Sequence, residues 1–256
     1  MCTLAIYFRP DEEYPVVVAA NRDEFYERPT LAPASLSRAP WVIGGKDLRA
    51  GGTWLGVNGH HLVAGLLNRR TAEPPDATKR SRGLLCLEAL RQPTAEAVLS
   101  LLEQYDGRAF NSFNLLVASP KFAFVFSNAA GSTELTRLEP GLHLLTNLAL
   151  NDVTCPRIAK SHGMFQAALP VLARDGLDAF RDALRAVLSD HSTPLDPRGQ
   201  EMPNNLCVHG ERYGTRSSSI LTYSGVSERF RLWYAEGPPC RSPYAEIALP
   251  HPERGV

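Results

Sequence analysis

The chain has 256 residues, enough to bury a sizeable hydrophobic core, and we predict a single domain over residues 1–256. Lysine plus arginine and aspartate plus glutamate number 27 each, so the charge balance argues against nucleic acid or an anionic membrane surface as a partner. The five cysteines are dispersed without a C-x-x-C pair, a pattern typical of free thiols in a cytoplasmic protein rather than of a disulfide framework.

The N-terminal part of the chain is predicted to be mainly β-structure. Residues 2–8 are apolar but only strand-length, and Arg9 and acidic residues follow at once, so we expect neither a signal peptide nor a membrane span. A charged turn leads into a buried strand at 16–20, and this hairpin holds the start of the chain inside a sheet. Residues 26–40 contain three prolines and are predicted to be irregular.

Helices and further strands alternate along the rest of the chain. Residues 79–104 have leucines at helical spacing, interrupted at Pro93, and 156–173 and 177–188 are amphipathic segments. Residues 194–205 are rich in proline and polar residues and predict a loop. This order favours an α+β fold, with helices on the outer faces of stacked sheets. Further strands are predicted at 53–57, 61–67, 112–118, 121–127, 141–146, 217–223 and 228–235.

Cys2 is the first candidate for chemistry. Removal of the initiator methionine is favoured when the second residue is small, and it would leave a thiol and a free α-amine on one residue. Such an amine titrates near ~7.7–8.0 and can act as the base for its own nucleophile. From position alone, a small buried cysteine without a catalytic role is the simpler interpretation.

A polar cluster, Asn21-Arg22-Asp23-Glu24, directly follows the second apolar strand. An arginine beside a sulfur favours the thiolate, and a carboxylate can accept a hydrogen bond from an α-amine and orient it. A solvated turn with local ion pairs would explain the same residues. Because neighbouring residues on a strand point to opposite faces, Arg22 and Asp23 can both face Cys2 only if a bulge intervenes, whereas Asn21 and Asp23 share a face.

Three further polar residues lie at the boundaries of predicted strands. Asn68 and Asn147 each end a strand, where a side-chain amide can donate to a developing oxyanion. Arg216 enters a strand of small polar residues, where it would bind a carboxylate or position a nucleophile. Taken singly, each is more simply explained as a turn or surface residue.

Together these segments resemble the NRDE family, the transport-and-Golgi-organization-protein-2 homologues. The resemblance runs in order from residue 1 to about residue 221. That family is similar to the cysteine N-terminal-nucleophile (Ntn) hydrolases, which include penicillin V acylases, bile salt hydrolases and acid ceramidase. The motifs that carry the resemblance are Met1-Cys2, Asn21-Arg22-Asp23-Glu24-Phe25-Tyr26 with Arg28-Pro29, Gly51-Gly52-Thr53-Trp54-Leu55-Gly56, Asn111-Ser112-Phe113-Asn114-Leu115 and Tyr213-Gly214-Thr215-Arg216-Ser217.

The resemblance implies a four-layer αββα sandwich with antiparallel sheets. It also implies a hydrolase that cleaves a linear amide bond of a small N-acyl substrate through a thioester, with Cys2 as nucleophile and its α-amine as base. In the hydrolases two residues separate the arginine from the aspartate, whereas Arg22 and Asp23 are adjacent here. The implied site residues are Arg22, Asp23, Asn68, Asn147 and Arg216 for catalysis, and Asn21 and Trp54 for substrate binding.

A second function stays open, because the NRDE family is implicated in haem mobilisation and in lipid or acyl-coenzyme A homeostasis. A non-enzymatic binding and trafficking protein would use the same scaffold, and fold does not decide function. Candidate haem ligands are Cys155, which precedes Pro156, and the pair His60-His61. Neither a metal-ligand spacing such as H-E-x-x-H nor a phosphate-binding glycine motif is present, so we expect no metal and no other cofactor.

Overall fold

The computed structural model describes residues 2–72, 74–192 and 205–250. The helices in this part of the chain are α1 (Arg82–Leu90), α2 (Ala95–Leu102) and α3 (Pro156–Leu188), with a 3₁₀ turn at Gly107–Ala109. The strands are β1 (Thr3–Phe8), β2 (Val16–Phe25), β3 (Thr30–Arg38), β4 (Trp41–Asp47), β5 (Leu55–Asn58), β6 (Val63–Asn68), β7 (Phe113–Ala118), β8 (Ala123–Ala129), β9 (Ser132–Arg137), β10 (Gly141–Leu145), β11 (Tyr213–Ser224), β12 (Arg229–Ala235) and β13 (Ala245–Ile247).

The strands form two antiparallel sheets that pack face to face. The first sheet has the order β10-β1-β2-β11-β12-β13, and the second runs sequentially from β3 to β9. Residues alternate along β1, so Leu4 and Ile6 enter the core between the sheets, whereas Ala5 and Tyr7 pack under α3. Helices α1 and α2 cover the outer face of the second sheet. These layers confirm the predicted αββα sandwich.

Local sequence explains where the helices begin and break. Ser81 caps α1 by accepting from the Leu84 amide, and Thr94 caps α2 by accepting from the Ala97 amide. Helix α3 begins with Pro156, whose missing N–H is not needed in the first turn. Gly176 interrupts α3 with φ +83°, which matches the predicted division into two helical segments. No helix in the described part of the chain is long and apolar enough to cross a membrane.

The prediction of an irregular segment at 26–40 was wrong, because β3 occupies most of it. β3 is an edge strand, and Pro33 falls within a register shift between Leu31 and Ala34, where a missing N–H costs no ladder hydrogen bond. β9 forms the other edge of the same sheet and is largely exposed, so it lacks an apolar pattern. The predicted loop at 194–205 lies, except for Asn205, outside the described residues.

The second strand is also longer than its apolar stretch. β2 continues through the polar cluster to Phe25, because β11 pairs with it from Val16 to the end. The cluster is therefore part of the central region of a sheet and is not a solvated turn. This extension brings Arg22 and Asp23 next to the beginning of β1.

Candidate active site

A cleft of about 660 Å³ lies where the beginning of β1 meets the ends of β2 and β6. The first sheet supplies Cys2, Arg22 and Asp23 to its wall, and the second sheet supplies Asn68. The turn before β5, the segment that leads into α1 and the turn after β10 complete it. The cleft therefore gathers most of the site residues that the sequence predicts, although they are far apart in the chain.

Cys2 lies on the face of the first sheet that looks toward the second sheet. Thr3 pairs with Asn21, and the same register places Cys2 opposite Arg22. The Cys2 side chain packs against the core between the sheets, in the row that contains Leu4. Arg22 faces the same way, so Arg22, and not Asp23, shares the face of the nucleophile candidate.

The Arg22 guanidinium is almost fully buried beside the cleft. Its Nη2 lies 3.8 Å from Oε2 of Glu24 and 3.9 Å from Oδ2 of Asp47, distances that are long for direct ion pairs. Arg28 holds Asp47 more tightly, at 2.7 Å. The Nη1 of Arg22 makes no hydrogen bond to any described residue. Arg22 therefore keeps positive charge and a donor beside Cys2.

Asp23 reaches Cys2 through its backbone. The Cys2 thiol donates to the Asp23 carbonyl oxygen at 3.4 Å, and the Tyr213 hydroxyl donates to the same oxygen at 3.2 Å. The Asp23 carboxylate points to the α3 side, where Thr215 Oγ1 donates to Oδ1 at 2.7 Å and Arg157 Nη2 lies 3.4 Å from Oδ2. Neither side chain of the Asp23–Arg157 pair is exposed to solvent.

Arg157 was not predicted as a site residue. Its sequence signal is its position on the buried face of α3, where it shares a stripe with Ser161 and Phe165. A charged residue on such a stripe is costly unless a partner of opposite charge is present. The partner, Asp23, is on a strand far away in sequence, so the sequence pattern alone does not reveal the pair.

The surroundings of Cys2 work against its ionisation. Burial of the thiol raises its pKa, and the negative charge of Asp23 raises it further, whereas Arg22 lowers it. The net shift of the thiol pKa is upward, so the Cys2 side chain is a neutral thiol at neutral pH. A base that accepts this proton is needed before the sulfur can act as a nucleophile.

Asn68 and Asn147 meet on the opposite side of the cleft. Asn68 ends β6 and its side chain is exposed, while the Asn147 amide donates to the Asn68 carbonyl oxygen at 2.7 Å. Asn114 fixes the turn that contains Asn147. Its buried amide donates to the carbonyl oxygens of Thr146 and Leu148 on either side of Asn147, at 3.2 and 2.7 Å.

Trp54 lines the cleft after a tight turn at Gly51-Gly52. Gly52 lies against the start of α1, and a Cβ on it would come within 2.0 Å of the Gly83 carbonyl carbon. The Thr53 amide donates to the Gly83 carbonyl oxygen at 3.0 Å. The glycine thus allows the backbone contact that places Trp54 and the α1 N-terminus on the same cleft.

Two predicted residues do not join this group. Asn21 is fully buried under α3, where its amide donates to the carbonyl oxygens of Leu188 and Leu206. It is not among the residues that line the cleft, and its role in substrate binding stays a prediction. Arg216 lies at a register shift in β11, between Thr215 and Ser217, and is not among the residues that line the cleft.

The cleft wall also carries cationic residues besides the predicted Arg22. Arg82 is partly buried at the start of α1, and its Nη1 donates to the Ser112 carbonyl oxygen at 2.9 Å. No described carboxylate lies within ion-pair distance of it, and burial lowers its pKa without removing the charge of an arginine. The cationic residues on the cleft wall are Arg22, Arg28, Arg49, Lys79, Arg80 and Arg82.

The candidate haem ligands lie in different layers of the sandwich. Cys155 is buried at the N-terminus of α3, beside the first sheet. His60 and His61 belong to the turn between β5 and β6 in the second sheet, where the His61 ring packs on Tyr223. The structure does not bring these residues into one site.

Comparison with known proteins identifies the family of the chain. Residues 1–232 match the family model described as Transport and Golgi organisation 2. The Transport and Golgi organization protein 2 homolog of Bos taurus is 30% identical over 249 residues, which covers 86% of this chain and 88% of that protein. The Drosophila melanogaster protein is 27% identical over 233 residues, 81% of each chain.

Solved structures show the same fold at low sequence identity. Penicillin V acylase from Agrobacterium tumefaciens superposes with a TM-score of 0.54 at 12% identity, covering 94% of this chain and 93% of the acylase. The N-acylethanolamine-hydrolyzing acid amidase ortholog of Caenorhabditis elegans superposes with a TM-score of 0.55 at 12% identity, covering 86% and 92%. The chain thus shares the fold of these two proteins, and it belongs to the Transport and Golgi organisation 2 family.

Proposed function

We propose that this protein is an N-terminal-cysteine amidohydrolase that cleaves a linear amide of a small, negatively charged N-acyl substrate. The observation that carries the proposal is the position of the Cys2 thiol, which faces the cleft beside Arg22 and donates to the Asp23 backbone. The solved structures of similar fold include an acylase and an amidase by name, which agrees with this chemistry.

Activation of the thiol is the first step of the proposed mechanism. Removal of Met1 exposes the α-amine of Cys2, which accepts the thiol proton as the sulfur attacks the amide carbonyl carbon. The Asp23 carboxylate, anchored by Arg157 and Thr215, stabilises the resulting ammonium. Arg22 stabilises the thiolate from the cleft face.

The amide bond then breaks through a tetrahedral intermediate. The Asn68 side chain donates to its oxyanion, and Asn147 positions Asn68 by binding its backbone carbonyl oxygen. The ammonium returns its proton to the departing nitrogen, which leaves as an amine, and a thioester remains on Cys2. Water, deprotonated by the same amine, attacks the thioester and releases the carboxylic acid and the thiol.

The proposed substrate class rests on Arg82, because the cleft wall also carries the acidic residues Asp23, Glu24, Asp47 and Asp76. Arg82 has a guanidinium that faces the cleft from the α1 N-terminus and is not paired with any described carboxylate. A helix N-terminus and an arginine together favour an anionic group on a bound molecule. We therefore assign Arg82 to a carboxylate or similar anion of the substrate.

Covalent trapping tests the nucleophile. Incubation with an activated acyl ester is expected to add one acyl group to a chain that lacks Met1, as measured by intact-protein mass spectrometry and peptide mapping. Cys2→Ala should abolish the adduct, whereas the matched control Cys86→Ala should retain it, because Cys86 lies on the buried face of α1. Acylation that persists in Cys2→Ala, or acylated protein that retains Met1, would contradict the mechanism.

A double-variant cycle tests the role of Asp23. Asp23→Asn leaves the Arg157 charge buried without a carboxylate, so we expect the free energy of unfolding to fall by about 3–5 kcal/mol and acylation to fall with it. Adding Arg157→Met removes the stranded charge and should restore most of the stability but not the acylation rate. Urea unfolding and acylation kinetics measure the two effects. Recovery of both in the double variant would show that Asp23 is only structural.

Substrate charge is tested with two N-acyl amides that differ only in whether the amine portion carries a carboxylate. Arg82→Gln should raise KM for the anionic amide tenfold or more and leave KM for the neutral amide nearly unchanged, because it removes a charge-assisted contact. Arg91→Gln, at the opposite end of α1, is the matched control. An equal change for both amides would mean that Arg82 supports the fold and does not bind substrate.

A further inference from the structure

Four metal-ligating side chains meet beside the first sheet, apart from the cleft. They are His191, Cys207, His209 and Cys240, and their ligand atoms all lie within 4.8 Å of one another. The two sulfurs are 3.6 Å apart, and His209 Nε2 lies 3.5 Å from the Cys207 sulfur and 3.2 Å from the Cys240 sulfur. No other group of this kind is present in the described part of the chain.

We propose that these four residues bind one Zn²⁺ ion in a tetrahedral Cys₂His₂ site. Zinc–sulfur bonds of about 2.3 Å and zinc–nitrogen bonds of about 2.0–2.1 Å place tetrahedral ligand atoms roughly 3.3–3.8 Å apart. The observed separations of 3.6, 3.5 and 3.2 Å are close to that spacing. Two thiolates and two imidazoles are also a donor set that zinc favours in structural sites.

The hydrogen bond of His191 fits a metal ligand. Its Nδ1 lies 3.2 Å from the Cys207 carbonyl oxygen, which can only accept, so Nδ1 carries the proton and the lone pair is on Nε2. Metal-bound histidines commonly make this contact to a backbone carbonyl through their other ring nitrogen. The His191 and His209 rings lie 5.0 Å apart between centroids, and neither pairs with a carboxylate of the described residues.

A disulfide is a weaker explanation of the cluster. It would bring the sulfurs of Cys207 and Cys240 to about 2.05 Å and would give no reason for two imidazoles to converge on them. All five cysteines are free thiols in the structure. Binding of zinc as two thiolates and two neutral imidazoles releases two protons and leaves no net charge on the site.

The site would join three segments that are distant in sequence. His191 follows the end of α3, Cys207 and His209 precede β11, and Cys240 lies between β12 and β13. The segment before β11 also supports the candidate active site. The Leu206 carbonyl oxygen accepts from Arg157 and the Val208 amide donates to Thr215 Oγ1, and both arginine and threonine hold the Asp23 carboxylate. Zinc would therefore stabilise the segment that holds Arg157 and Thr215 against the Asp23 carboxylate, whether or not the protein is a hydrolase.

Metal analysis of the full-length chain tests the site. Protein purified under reductant from zinc-supplemented cells is expected to contain one zinc per chain by elemental mass spectrometry. Cys207→Ser combined with Cys240→Ser should lose it. The matched control Cys155→Ser combined with His60→Gln should keep it, because Cys155 and His60 lie in other parts of the fold. Absence of stoichiometric zinc from the reduced wild-type protein, or zinc retained by the double serine variant, would overturn the proposal.

Titration with Co²⁺ tests the site even if the double serine variant does not fold. The apoprotein titrated with Co²⁺ should develop thiolate charge-transfer bands and the strong visible bands of a tetrahedral ion, saturating at one equivalent. His209→Cys supplies a third thiolate and should retain binding with a stronger charge-transfer band. A weak octahedral spectrum in the wild-type protein, or a spectrum unchanged by His209→Cys, would contradict ligation by these residues.

Discussion

The buried ion pair between Asp23 and Arg157 joins the first sheet to helix α3 directly behind the candidate site. Asp23 belongs to the central strand β2, and Arg157 belongs to the first turn of α3. Two charges without solvent contact are costly to bury, so each restricts where the other can lie. Thr215 from β11 adds a third anchor to the same carboxylate. Arg157 and Thr215 thus fix the Asp23 carboxylate on the strand that pairs with the start of the chain.

The alternation of faces along β2 explains how the adjacent residues Arg22 and Asp23 can both act on Cys2. Arg22 points into the cleft with Cys2, and Asp23 offers its backbone carbonyl to the thiol while its carboxylate lies on the α3 side. The register shift in the neighbouring strand β11 falls at this same position. The proposed mechanism therefore uses the two adjacent residues from opposite faces, one acting on the sulfur and one on the amine.

Periodicity predicted the parts of the fold that bury one clear face. The β1–β2 hairpin, the helix break near Pro93 and the strand-end positions of Asn68 and Asn147 were all expected from local pattern. Edge strands such as β3 were not predicted, because a strand of half-exposed residues and prolines shows no regular apolar spacing. Their presence depends on a neighbouring strand that local sequence cannot show.

Fewer contacts of the candidate site than elements of the fold could be predicted from the sequence. The family resemblance identified most of the predicted residues that line the cleft. It also predicted Asn21 as a site residue, whereas the amide of Asn21 donates to the end of α3. Arg157 and the His/Cys cluster were missed for one physical reason. Their partners lie on distant segments, and only the packing of α3 and the strand β11 brings them together.

The pH dependence of Cys2 alkylation tests the central claim that its own α-amine activates the thiol. A variant with a lysine inserted between Met1 and Cys2 retains Met1 and denies Cys2 a free amine. Because burial and Asp23 raise the thiol pKa, the variant should react slowly at neutral pH, with its rate rising only above the usual thiol pKa near ~8.5. The processed chain should react faster at neutral pH, with an inflection near the pKa of an α-amine, ~7.7–8.0. The same profile for both chains would contradict the account.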